Sequence, residues 1–172
     1  GAESLVQRLG ALKVYKSDAS FAGSRYERDM MTRRGFSFDI LNADELRQLE
    51  PGLAPIFKYA LYAPDSATVK NPGRLVRLFA EALVAKGGAI VAEEAMDFDI
   101  VDNKITGVRT TNGVVAADHV VLAAGPWSRG LAVGLGAKLR LEAERGYHVM
   151  LPTPEVEVRV PMLVSSLGFG IT

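Results

Sequence analysis

The residues that could do chemistry begin with two histidines. His119 sits beside Asp118 at the head of an apolar run, and His148 follows Tyr147. Neither has a second histidine at ligand spacing, no cysteine is present, and no H-E-x-x-H frame occurs. A metal centre needs several such donors converging, so the sequence predicts none. Ser128, Ser165 and Ser166 lie in no G-x-S-x-G elbow, which argues against a hydrolase triad. Glu93 and Glu94 are neighbours in an extended stretch and point to opposite faces, so they cannot share a proton. Glu142 and Glu144 fall on one face and could do acid–base work, although a solvated charged face is the simpler reading. No catalytic residue emerges from these types and spacings.

Glycine offers one better candidate. The pairs Gly134/Gly136 and Gly168/Gly170 lack a third glycine and a preceding strand, and read as turns. Gly125 is different. In VVLAAGPWS, Val120 to Ser128, small and β-branched apolar residues run into Gly125, Pro126 and the single tryptophan, Trp127. That pattern predicts a buried strand stopping at a glycine turn that opens a helix, where backbone N–H groups can face a ligand. A tight turn without any ligand reads the same residues equally well. No G-x-G-x-x-G fingerprint occurs in the chain.

The elements that must position this junction can be read along the chain. ALKVYKS predicts a strand, Gly23 to Arg34 a helix, and the alternating GFSFDIL a half-buried strand. Asn42 or Asp44 caps the helix ADELRQLE, which Pro51-Gly52 ends, and an aromatic strand heads ALYAPDSATVK. In NPGRLVRLFAEALVAKGG, Asn71 is the N-cap, Pro72 occupies the first turn, and Gly87-Gly88 stop the helix. Leu75, Leu78, Phe79, Ala82 and Leu83 form its apolar stripe. Strands AIVA, MDFDIV, KITGVRTT and VVAADHVVLAAG follow, turned at Asp102-Asn103 and Thr111-Asn112-Gly113. After a short helix ending near Gly134, LRLEAERGYHVML reads as one long strand and PTPEVEVRVPMLVSS as a turn and another. The fold class is α+β or mixed α/β, with meander hairpins and at least one parallel crossover.

Composition narrows the partners. The 172 residues suffice for one domain or pieces of two, and 48% apolar with 23% charged residues is ordinary for a soluble globule. Lys and Arg together number 20, as do Asp and Glu, so bulk charge favours neither nucleic acid nor an anionic membrane. No apolar run approaches a membrane span, and the absence of cysteine fits a cytoplasmic location.

In order, these segments resemble the middle of the FAD-dependent D-amino-acid oxidase/dehydrogenase superfamily. They are most similar to bacterial D-amino-acid dehydrogenases and to glycine/sarcosine-oxidase-like enzymes. The resemblance rests on ADELRQLEPGLAP, LYAPDSATVKNPGRL, the capped helix, KITGVRTTNGVVAADHVVLAAGPWS and LRLEAERGYHVM, and covers nearly the whole chain. It implies a central fragment, inactive alone and prone to self-association, whose glycine-rich loop lies before the region matched. It further implies FAD-domain structure over residues 71–137, with β-meander, and substrate-domain sheet over 1–70 and 138–172.

The activity implied is oxidation of a small D-amino acid or secondary amine by hydride transfer to flavin. By the same resemblance, Met96 reaches FAD through its backbone, Ala124 and Gly125 let the chain pass close to the dinucleotide, and Trp127 follows that turn. Arg145, Gly146, Tyr147 and His148 match a strand crossing toward substrate. A 2-hydroxy-acid or glycerol-3-phosphate dehydrogenase on the same scaffold, or a non-catalytic α/β domain, remain alternatives.

Overall fold

Short strands dominate the chain, and helices fill the gaps between them. Residues 1–172 are described by a computed structural model. In order, the first part contains β1 (Val6–Gln7), β2 (Ala11–Tyr15), α1 (Asp18–Gly23), α2 (Arg25–Arg33), β3 (Asp39–Asn42), α3 (Ala43–Leu49), β4 (Tyr59–Ala63), β5 (Thr68–Val69) and α4 (Pro72–Ala85). The meander β6 (Ala95–Val101), β7 (Lys104–Thr110) and β8 (Gly113–Ala116) follows, then α5 (Ser128–Gly134), β9 (Met162–Val164) and β10 (Phe169–Ile171). The chain divides into two compact units, Gly1–Gly87 with Leu151–Thr172, and Gly88–Met150. No helix is long and apolar enough to cross a membrane.

The first unit is built on a mixed sheet of strand order β10-β9-β2-β4-β3. Only the β2–β9 pairing is parallel; the other pairs are antiparallel. Strand alternation decides the two faces. Val14 lies between Ala60 and Val164, and Leu12 beside Met162, so these residues share one face. With Leu46, Phe57 and Val160 they form the core. On the opposite face, Lys13 bonds Glu27 of α2 and Tyr15 packs edge-on against Phe21 of α1.

Both predicted caps are present. Asn71 Oδ1 accepts the Arg74 N–H at 2.8 Å with Pro72 in the first turn, and Asn42, not Asp44, caps α3 in a reciprocal box with Glu45. The boundaries of the compact units put α4 with the first unit, where it meets the helical turn at Ala2–Leu5. Most of its apolar stripe is uncovered, with Phe79 and Leu83 exposed.

The second unit holds the antiparallel meander β6-β7-β8. Asp102 and Asn103 both adopt positive φ, 49° and 60°, at the first hairpin. A two-residue turn of that hand matches the strand twist. Two predicted strands, and the second part of the strand that begins as β8, are absent. AIVA, residues 117–124 and residues 139–151 carry strand-like sequences yet join no ladder. A strand is held by its neighbour's backbone, and the meander stops at Ala116 with no further strand beside these runs. They are left open instead, with Val121 88% exposed.

Candidate functional site

The Gly125 junction survives without its strand, because local hydrogen bonds shape it. Gly125 has φ 55°, a left-handed conformation that side chains disfavour. It begins a 3-10 turn, Gly125–Trp127, which runs directly into α5. Ser128 Oγ accepts the Ala124 N–H at 3.0 Å, and the Trp127 N–H donates to the Ala124 carbonyl at 3.2 Å. Ala124 is therefore fixed through both its backbone groups. Pro126 has no N–H. The Gly125 N–H has no acceptor in the protein.

Sterically the junction is a ledge. Ala123, Ala124 and Gly125 are exposed, and a Cβ built on Gly125 would meet nothing within 4 Å. Small side chains, an unfilled space and an unused donor leave room for a ligand to approach the backbone here, as the expected dinucleotide would. Ser128 is buried at 5% exposure, whereas Trp127 is 79% exposed and does not pack α5 onto a sheet.

Met96 lies on β6 at an irregularity in the ladder. Ala95 faces Thr110 and Asp97 faces Arg109, so Met96 is the extra residue of a bulge with no cross-strand partner. Its side chain is exposed. α5 packs against β6, and a Cβ on Gly134 would lie 3.6 Å from Asp97 Oδ1. The helix that follows the glycine turn thus rests beside the bulged strand.

The expected substrate-side residues are not gathered in this way. Arg145, Tyr147 and His148 lie in an exposed stretch without regular structure and make no hydrogen bond or ion pair. No group of three His, Asp or Glu residues is placed to hold a metal ion.

Two polar arrangements were not visible from motifs. Asp18 accepts from Lys58 Nζ and Tyr59 OH, each at 2.9 Å. The Lys58 hydrogen bond, then that from Tyr59, holds the Asp18 carboxyl below its ordinary value, while Asp18 raises both Lys58 and Tyr59. Glu50, 1% exposed, accepts the Arg159 N–H at 3.2 Å and also the Val160 N–H. The helical position of Glu50, four residues after Leu46 on the same face, was the available signal. For Ser128 the signal was a small hydroxyl at the start of a helix.

The meander, the mixed sheet and the glycine ledge define a mixed α/β protein with several sheets and no barrel. The chain belongs to the DAO family, FAD dependent oxidoreductase, whose family model matches residues 1–171. It is 33% identical over 165 residues to a D-amino-acid oxidase of Bradyrhizobium diazoefficiens, covering 96% of this chain and 39% of that protein. It is 40% identical over 107 residues to a glycine oxidase of Pseudomonas putida, covering 61% of this chain and 29% of that protein. Among solved structures, glycine oxidase from Geobacillus kaustophilus superposes with a TM-score of 0.73 at 22% identity. That match covers 95% of this chain and 46% of the other, and speaks for the fold. The chain therefore spans less than half the length of these relatives. FAD is the cofactor of the family.

Proposed function

We propose that this chain is the central segment of an FAD-dependent oxidoreductase that oxidises a small amino acid or secondary amine. The observation that carries the reading is the family match along residues 1–171, joined to a glycine ledge with a free N–H inside it. The names of the relatives, D-amino-acid oxidase and glycine oxidase, support an amine-bearing substrate. In this reading residues 71–137 contribute to the flavin side, and residues 1–70 and 138–172 to the substrate side.

When bound, FAD supplies the acceptor for the hydride that leaves the carbon bearing the amine. This chain's part is to hold and shape. The Gly125 N–H donates to the cofactor, Ala124 keeps the approach free of bulk, and Met96 offers backbone groups released by its bulge. Trp127 flanks the turn. Arg145, Tyr147 and His148 face the substrate side, where an Arg suits a carboxylate.

The test is expression of the complete polypeptide carrying this sequence. A yellow protein whose flavin absorbance bleaches anaerobically on adding glycine, sarcosine or a D-amino acid is expected. A flavoprotein bleached by 2-hydroxy acids or glycerol 3-phosphate, and by no amine, would overturn the substrate class.

A further inference from the structure

The chain has four asparagines, and their surroundings set them apart chemically. Asn42 and Asn71 spend their side chains as helix caps: Asn42 Oδ1 accepts the Asp44 and Glu45 N–H groups, and Asn71 Oδ1 that of Arg74. Asn71 is also followed by Pro72, which has no N–H. Asn103 precedes Lys104, whose side chain crowds its own backbone nitrogen. Asn112 differs on every count. It is exposed, its side chain makes no hydrogen bond, and Gly113 follows it. A Cβ built on Gly113 would meet nothing within 4 Å, and its φ of 142° favours glycine.

The tip of this hairpin is weakly closed. Thr110 opposite Gly113 is the last pair of the β7–β8 ladder, which leaves Thr111 and Asn112 as the turn. Neither has the positive φ that fits a two-residue turn to the strand twist, unlike Asp102 and Asn103. β8 is an edge strand whose four residues are all exposed, so its end pair opens at low cost.

We propose that Asn112 is a modification site, deamidated spontaneously through the backbone nitrogen of Gly113. With the end pair open, that nitrogen attacks Asn112 Cγ. The new C–N bond closes a five-membered succinimide, the Cγ–Nδ2 bond breaks, and the Gly113 proton leaves with the side-chain nitrogen as ammonia. Water then opens the ring at either carbonyl and returns a proton to the Gly113 nitrogen, giving aspartate or isoaspartate. Nothing is oxidised or reduced. Either product places a carboxylate in a turn whose Thr110 hydroxyl already donates to the Glu93 carboxylate. Like charges repel, and isoaspartate also adds a methylene to the backbone of the turn, so both products loosen β8.

The experiment ages the complete polypeptide in mildly alkaline buffer, folded and urea-unfolded, and maps aspartate and isoaspartate at these four asparagines by peptide mass analysis. In the folded protein, conversion should concentrate at Asn112 and run within about tenfold of the unfolded rate, the factor set by an opening cost of about 1.4 kcal/mol. Asn112→Gln, whose longer side chain would need a six-membered ring, should lose the conversion. Asn112→Asp, which carries one product from the start, should speed amide exchange along β8. Slower conversion at Asn112 than that limit, or faster conversion at Asn42, Asn71 or Asn103, would overturn the site. Unchanged exchange in Asn112→Asp would overturn its effect on β8. The mapping of the wild-type protein needs no variant, so the site stands or falls without them.

Discussion

Asp18 sits at the first position of α1 with Lys58 and Tyr59 converging on it from β4 and its approach. The pairing is fully exposed, so salt weakens it and its effect on stability is small. Its pH dependence still has a definite sign. Asp18 is lowered in the folded state, so its contribution is complete above the ordinary value of 3.8 and is lost as pH falls through its lower folded value. Lys58 is raised, so its contribution is complete below 10.5 and lost as pH rises through its higher folded value. The melting temperature of Asp18→Asn should fall slightly below wild type near neutrality, with the gap closing in acid below 3.8. A gap that stays constant down to acid pH would show that the carboxylate charge plays no part. Sequence alone could not find this cluster, since Asp18 and Lys58 are brought together by the register Tyr15 opposite Tyr59. Gly125 was legible because a lone glycine after small apolar residues already constrains the backbone. Its partner Ser128 was less so, because a hydroxyl at the start of a helix signals a local backbone bond without saying which N–H it meets.

At the scale of elements, local signals were the readable ones. Asn71 and Asn42 cap the helices they were expected to cap, since capping depends on residues within one turn. Strands were less legible. The runs at residues 117–124 and 139–151 have strand-like patterns, and strand formation depends on a neighbour that the pattern does not name. β9 is a case where the neighbour exists: it slots parallel to β2, and Glu50 holds the backbone just before it through Arg159 and Val160. Gly52 admits the same returning segment closely, since a Cβ there would lie 2.6 Å from Val156 Cγ1. Glu50→Gln should therefore destabilise the first unit by about 1–3 kcal/mol, because a buried amide N–H₂ would replace one accepting oxygen and face the N–H of Arg159 or of Val160. A shift in denaturant midpoint, with faster exchange of the Arg159 and Val160 amides, would check it. An unchanged midpoint would mean the clamp contributes nothing.

Across the whole molecule, large apolar side chains remain open to solvent, among them Val121, Tyr147, Val149 and Met150. Surface of that kind seeks cover. The 172-residue chain on its own is expected to self-associate at micromolar concentration, and sedimentation showing a monodisperse monomer would count against this. It is also expected to bind FAD more weakly than ~1 μM, because no G-x-G-x-x-G loop lies within it to hold a pyrophosphate. Fluorescence titration of FAD gives that constant, and tighter binding would show that the ledge needs no help.

The central claim is that Gly125 is where the chain meets its flavin. A Cβ at Gly125 meets no protein atom within 4 Å, so Val there is opposed by its φ of 55° and by whatever ligand fills the space. Backbone strain alone would cost about 1–3 kcal/mol and be blind to cofactor. Flavin content and melting temperature, measured on one preparation of the complete polypeptide with Gly125→Val, separate the two. The account predicts a folded, colourless variant beside a yellow wild type. A Gly125→Val protein that retains full flavin, or a wild type that holds none, would contradict it.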